Sequence, residues 1–349
     1  MTPDAQTLDA HAEKTAQGRM RAAVRSRRLA VTVRVVLGLA VLVAVIATVG
    51  TGPLLHGIQS IDARSIAAAL LLAAIATAAA AWRWRVIARR LGVDLTWGLA
   101  FGKYYQSQFL NTVVPGGIVG DVHRAVGESL TAADIARSAR AVVLERTVGQ
   151  TVQVCVSLAI FAIAGAQFQG YLASAIAIGL ALVVLSLTVV AVSSSRARAV
   201  LRREARQIRD GLGSPRVAVH LVLASLVVIT SHVATFAIAT SAVGVSVTPD
   251  RMLVLALVVL LGASIPLNVG GWGPREGVAG WAFAVAGLGA AAGVAASTLF
   301  GVLTVVSVLP GAIAMVVFAV RRRRPEHTVS AAHAELFAPL ASQSLEKTP

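Results

Sequence analysis

The chain has 349 residues, of which 56% are hydrophobic and 13% charged, with a mean hydropathy of +0.77. A soluble domain carries about 25% charged residues, and several apolar runs here reach the roughly 20 residues that cross a bilayer. The composition therefore excludes a soluble globular fold and predicts an all-α polytopic membrane protein. The net charge of +15 does not read as nucleic-acid binding. Arg and Lys gather from Lys14 to Arg34, Arg83 to Arg90, Arg196 to Arg216 and Arg321 to Arg324, each cluster beside a hydrophobic segment. Cytoplasmic loops have that pattern, and no interleaved aromatic surface offers bases a stacking platform. Cys155 is the single cysteine, so neither a disulfide nor a cysteine metal cluster is expected; no metal or other cofactor is predicted.

In chain order, residues 1–28 form a polar, basic cytoplasmic segment, too long to read as a signal peptide. The membrane domain is expected over 29–320. Apolar runs fall near 30–50, 65–82, 142–165, 171–193, 217–243, 252–269, 277–292 and 295–320. Eight crossings with both termini inside place every arginine cluster in the cytoplasm, and localisation in the cytoplasmic membrane follows. The last segment, 321–349, is expected to be a disordered cytoplasmic tail.

Residues 95–140 do not fit a simple crossing. Tyr104, Gln108 and Asn111 recur at i, i+4, i+7 ahead of Pro115-Gly116-Gly117. That pattern predicts a re-entrant hairpin dipping from the inner side, or an amphipathic helix on the inner leaflet. A second break, IPLNVGGWGPREG, occupies 265–277. Hydrocarbon supplies no water to backbone groups freed by Pro and Gly, so such breaks persist at depth only inside protein or beside a wet cavity. Both contain an Asn, a Gly pair and a following Arg: Asn111 and Arg124 in the first, Asn268 and Arg275 in the second. Paired interruptions in two halves point to an internal repeat with a site between the repeats.

Arg275 and Glu276 stand beside the second break, where a charge at depth costs roughly 2.5–3.5 kcal/mol. Pro274 suits the first turn of a new helix, and the Arg275 fork suits phosphate or carboxylate; a structural ion pair is the alternative reading. Arg146, Gln150, Gln153 and Ser157 share one helical face, with Glu145 adjacent, and a polar stripe on a spanning helix faces the bundle interior. Asp121, His123 and Arg124 follow the first break and admit a weaker, catalytic reading. The candidate substrate-binding set is Asn111, Asp121, Arg124, Glu145, Arg146, Asn268, Arg275 and Glu276, with no catalytic residue assigned. GLAFGK at 98–103 has neither the glycine spacing nor the Ser or Thr of a phosphate-cradling loop, so nucleotide hydrolysis is not expected.

The stretches QFLNTVVPGGIVGDVHRA, RSARAVVLERTVGQ and ASIPLNVGGWGPREG together resemble the flippase-like transmembrane domain of lysylphosphatidylglycerol synthases, a domain shared by stand-alone bacterial and archaeal membrane proteins. The resemblance covers roughly residues 30–320. It implies about eight helices with re-entrant segments, associated in the synthases with moving aminoacylated phospholipid between leaflets. Asp121, Arg124, Glu145, Arg146, Arg275 and Glu276 fall on its motifs. The synthases' soluble aminoacyl-transferase domain has no counterpart after Arg324 in this sequence. The expected partner is a membrane phospholipid and not nucleic acid; a second copy of the chain or an envelope-biosynthesis protein is the further partner class left open. The alternatives to a lipid transporter are an intramembrane enzyme acting on a phospholipid or polyprenyl phosphate, and an accessory protein of envelope assembly.

Overall fold

A computed structural model describes residues 43–44, 46–114, 119–126, 131–164, 214–264 and 272–323. The expected crossing at 171–193, most of the one at 30–50, the N-terminal segment, the C-terminal segment beyond Arg323, Asn268 and the glycine pairs of the two breaks lie outside them.

Among the described residues every regular element is a helix. In chain order they are α1 (Gly52–Gln59), α2 (Ala63–Arg90), α3 (Trp97–Val113), α4 (Val119–Val126), α5 (Ala132–Ala164), α6 (Pro215–Ala242), α7 (Pro249–Ala263), α8 (Pro274–Val285) and α9 (Ala290–Arg323). Four of these, α2, α5, α6 and α9, are long and apolar enough to cross a membrane. The protein is thus an all-α membrane protein.

Local chemistry sets the helix ends. Asp62 caps α2 by accepting the Ser65 N–H at 2.9 Å, as an N-cap carboxylate does. Proline at the first turn opens α6, α7 and α8, where its missing donor and fixed φ are harmless. Gly92 and Gly244, at φ of +78° and +82°, turn the chain out of α2 and α6 in a conformation that only glycine adopts freely.

The runs at 252–269 and 277–292, read from sequence as two crossings, are instead two short helices of 15 and 12 residues. At 1.5 Å per residue they reach about 22 and 18 Å, short of the roughly 30 Å hydrocarbon core. They lie antiparallel: Arg251 donates to the Ala286 carbonyl at 2.9 Å, and Gly262 packs directly on Val278. Gly273 at φ +111° and Pro274 at the first turn open α8 after the break. α3 and α4 form a second such pair, with Asn111 accepting the Gly120 N–H at 2.8 Å and Ser107 donating to Asp121 at 3.3 Å. Replacing two crossings by one re-entrant pair preserves the parity of the expected topology.

Two equivalent units emerge, α2–α5 and α6–α9, each a long helix, two short doubled-back helices and a second long helix. Packing within them matches: α2 on α3 as α6 on α7, α3 on α4 as α7 on α8, α4 on α5 as α8 on α9, and α2 on α5 as α6 on α9. Packing between them matches too, with α9 against α2 and α3 as α5 is against α6 and α7. The helices α2 and α6 pack on each other and run antiparallel, since Trp82 meets His220 and Arg83 meets Ser225, whereas Ala69 belongs with Phe236 and Ala239. A two-fold that exchanges antiparallel spanning helices lies in the membrane plane, which makes the repeat inverted. Each unit has its own core: Trp84, Ile87, Tyr104 and Leu144 in the first, Phe236, Leu255, Phe283 and Leu299 in the second.

Candidate functional site

A charge cluster is built from the four helices of the first unit and from α6 of the second. Along α2 the buried face carries Ala76, Ala80, Arg83 and Ile87, so Arg83 enters the core on the small-residue stripe. α3 contributes Tyr104 and Ser107, one turn apart, and α4 contributes Asp121 and Arg124 at i, i+3. α5 supplies Glu145 and Arg146, and α6 supplies Ser225.

Glu145 is fully buried. Its Oε1 accepts from Arg83 Nε at 3.1 Å and Nη2 at 2.5 Å and from the Tyr104 hydroxyl at 3.1 Å. Its Oε2 accepts from Arg124 Nη2 at 2.8 Å. Arg83 Nη1 continues to Ser225 Oγ at 2.8 Å. Both oxygens of this carboxylate are thus filled by charged or polar donors, as a buried anion requires. Arg124 is 2% exposed and stacks with its Cζ 4.4 Å from the Tyr104 ring centroid and 5.1 Å from that of Trp84. Its Nη1 is buried without a hydrogen-bond partner.

Asp121 lies on the open side of the cluster, 17% exposed in its side chain. Its Oδ1 accepts from Arg124 Nε at 3.2 Å and Nη2 at 3.0 Å, and from Arg146 Nη2 at 3.1 Å. The Arg146 side chain is 47% exposed. Among Arg83, Arg124, Arg146, Asp121 and Glu145 there are three guanidinium groups and two carboxylates, an excess of one positive charge. Asn111 does not join these ion pairs. It bridges the first break by accepting the Gly120 N–H, which supplies one of the backbone partners that a broken helix lacks.

The second unit holds a separate, sealed pair. Glu276 is fully buried and Arg275 is 5% exposed. Glu276 Oε2 reaches back to the Gly273 N–H at 2.7 Å, the reciprocal half of a capping box. Glu276 Oε1 accepts from Arg275 Nε at 2.9 Å and Nη2 at 2.5 Å. Ser297 Oγ on α9 accepts from Arg275 Nε at 3.1 Å and donates to Glu276 Oε1 at 3.3 Å. Trp272 and Phe300 flank the guanidinium, with ring centroids 5.3 and 5.4 Å from its Cζ. No described contact joins Arg275 to Arg124 or Arg146, so the candidate residues fall into two clusters.

Arg83 on α2 and Arg275 on α8 stand on non-equivalent helices of the two units but lie in similar cradles. Glu145 and Gly149 on α5 are four residues apart, as are Ser297 and Gly301 on α9. A Cβ on Gly149 would come within 2.8 Å of Arg83 Nη2, and one on Gly301 within 2.2 Å of Arg275 Nη2. In each unit the second long helix supplies an acceptor and, one turn on, a glycine that makes room for the guanidinium.

Arg83 was hidden in the sequence among the cytoplasmic arginines. The signal that distinguishes it is its phase, since it shares the face of Ala76 and Ala80. His123 is exposed on α4, whereas Arg124 one residue on is buried. Gln153 donates to Ser264 Oγ at 3.3 Å, tying the polar stripe of α5 to the end of α7. Ser157, one turn further, is fully buried with its hydroxyl unpartnered.

The family model described as Lysylphosphatidylglycerol synthase TM region matches residues 31–333. No curated protein and no solved structure matches the chain.

Proposed function

The chain belongs to the lysylphosphatidylglycerol synthase transmembrane-region family, and we propose that it moves an anionic phospholipid between the leaflets of the cytoplasmic membrane. The head group enters at Arg146 and Arg124 while the acyl chains stay in lipid. The observation that carries this reading is the excess guanidinium of the first cluster, together with the 47% exposure of Arg146. A planar fork at a polar opening suits a phosphate. From Arg146 the stripe through Gln150 and Gln153 to Ser157 offers hydrogen bonds over 11 residues of helix, about 17 Å, more than half of the hydrocarbon core. An inverted repeat is also a common architecture of transporters.

Within this proposal Arg124 and Arg146 contact the phosphate, and Asp121, their ion-pair partner, faces the head group. Glu145 and Arg83 hold Arg124 in place, and Asn111 closes the first break. Arg275 and Glu276 pin the second hairpin to α9. Asn268 lies outside the described residues and receives no role. Both termini are cytoplasmic.

The test is a leaflet assay in reconstituted vesicles carrying phosphatidylglycerol labelled on an acyl chain, with dithionite bleaching the outer leaflet. Bleaching beyond the outer-leaflet fraction, with lipid mass unchanged, is the expected result. Bleaching that stops at the protein-free level overturns the transport reading. A change in lipid mass favours an enzyme instead.

A further inference from the structure

Asp121 and Glu145 meet the same arginine but in different ways. Glu145 spreads its donors over both oxygens and is sealed from the surface. Asp121 gathers everything on one oxygen: Oδ1 accepts from Ser107 Oγ, Arg124 Nε and Nη2, and Arg146 Nη2, at 3.0 to 3.3 Å. Its second oxygen makes no hydrogen bond among the described residues. Three guanidinium N–H groups and a hydroxyl converging on one anionic oxygen reproduce what a phosphate oxygen receives in an arginine site.

We propose that Asp121 is an internal surrogate for the lipid phosphate, occupying the anion position until a head group displaces it. The inference rests on the head-group reading above and adds how the site is kept closed and weak. Three further features support it. Asp121 stands on α4, an eight-residue helix that follows the first break. Arg146, the donor nearest the surface, has Asp121 as its described partner and is free to swing to an incoming anion. Arg124 is buried, and its Nη1 has no acceptor among the described residues, so the two carboxylates do not saturate its donors. Such a device lowers affinity, which transport needs, since a head group must leave as readily as it enters. The displaced carboxylate also becomes a partner for any amine the head group carries.

The experiment compares the purified full chain with its Asp121→Asn variant, titrated in micelles with dioleoylphosphatidylglycerol and with the uncharged dioleoylglycerol. Native mass spectrometry reads occupancy. Wild type should prefer the anionic lipid, and Asp121→Asn should bind it about tenfold tighter, within the range of a single coupled contact, with no gain for dioleoylglycerol. Wild type with no preference for the anionic lipid defeats the head-group reading itself. A wild-type preference with unchanged or weaker binding by Asp121→Asn defeats the surrogate alone. If that variant does not purify folded, carbodiimide footprinting of wild type decides. Asp121 should label more when dioleoylphosphatidylglycerol is added, and equal or lower labelling overturns the proposal.

Discussion

Arg83 Nη2 and Glu145 Oε1 lie 2.5 Å apart across 62 residues of sequence, joining the first and last helices of one repeat unit. Breaking a buried pair by removing one partner leaves an uncompensated charge and costs about 3–5 kcal/mol. Glu145→Ala should therefore destabilise the protein strongly, because Arg83 loses its carboxylate partner and Arg124 loses one of its two. Arg83→Ala should cost a similar amount. The double variant should fall well short of the sum, as expected for residues in contact. Thermal melts in one detergent check this, and additive losses would show that the pair is not coupled.

Glycine positions test the close approaches. A Cβ on Gly120 would sit 1.9 Å from the Ser107 carbonyl oxygen, a rigid backbone group, so Gly120→Ala should separate α3 from α4 and cost about 1–3 kcal/mol or more. Gly301→Ala should push the Arg275 guanidinium off Glu276. Gly52 has nothing within 4 Å of the added Cβ, and Gly52→Ala should melt within about 0.5 kcal/mol of wild type.

Arg275 uses two nitrogens of its fork on Glu276 and Ser297 and lies between two rings. A lysine ammonium reproduces neither the fork nor the stacking. Arg275→Lys should thus be nearly as destabilising as Arg275→Ala, with losses of about 3–5 kcal/mol. Loss of lipid transport in these variants should follow loss of folded protein. A lysine variant that melts like wild type would contradict the pinning role.

The fold was readable from the sequence at the level of class, breaks and repeat. Both interruptions announce themselves through Pro and Gly, and the polar residues that pair beside them are rare enough in apolar sequence to stand out. Two things were not readable. The runs at 252–269 and 277–292 have enough apolar residues to cross, and apolar count alone does not show that their helices stop at Ala263 and Val285. Arg83 looked like its neighbours Arg85, Arg89 and Arg90, because a positive charge near a helix end normally faces the cytoplasm. Its burial depends on Glu145, a partner that no local pattern reveals. The second cluster admitted both a binding-site and an ion-pair reading on residue type alone. Its closure by Ser297, Trp272 and Phe300 is a tertiary property.

Topology follows from the arginine clusters and from the re-entrant pairs. With Cys155 replaced, single cysteines at Gly52, Gln169 and Ser246 should react in intact cells with an impermeant thiol reagent, and those at Ser214 and Ser330 should not. Labelling at Ser214 would place an arginine-rich segment outside and contradict the two-fold arrangement of the units.

The proposed head-group site turns on Arg146, whose side chain is 47% exposed and whose loss the fold should tolerate. The decisive measurement is the transport rate of acyl-labelled phosphatidylglycerol by Arg146→Ala in vesicles, alongside wild type of equal monodispersity and melting temperature. The account predicts a folded variant with a rate lowered by about tenfold or more, the scale of a lost charge-assisted contact of about 1.5–3 kcal/mol. A folded Arg146→Ala protein that moves the lipid at the wild-type rate would contradict it.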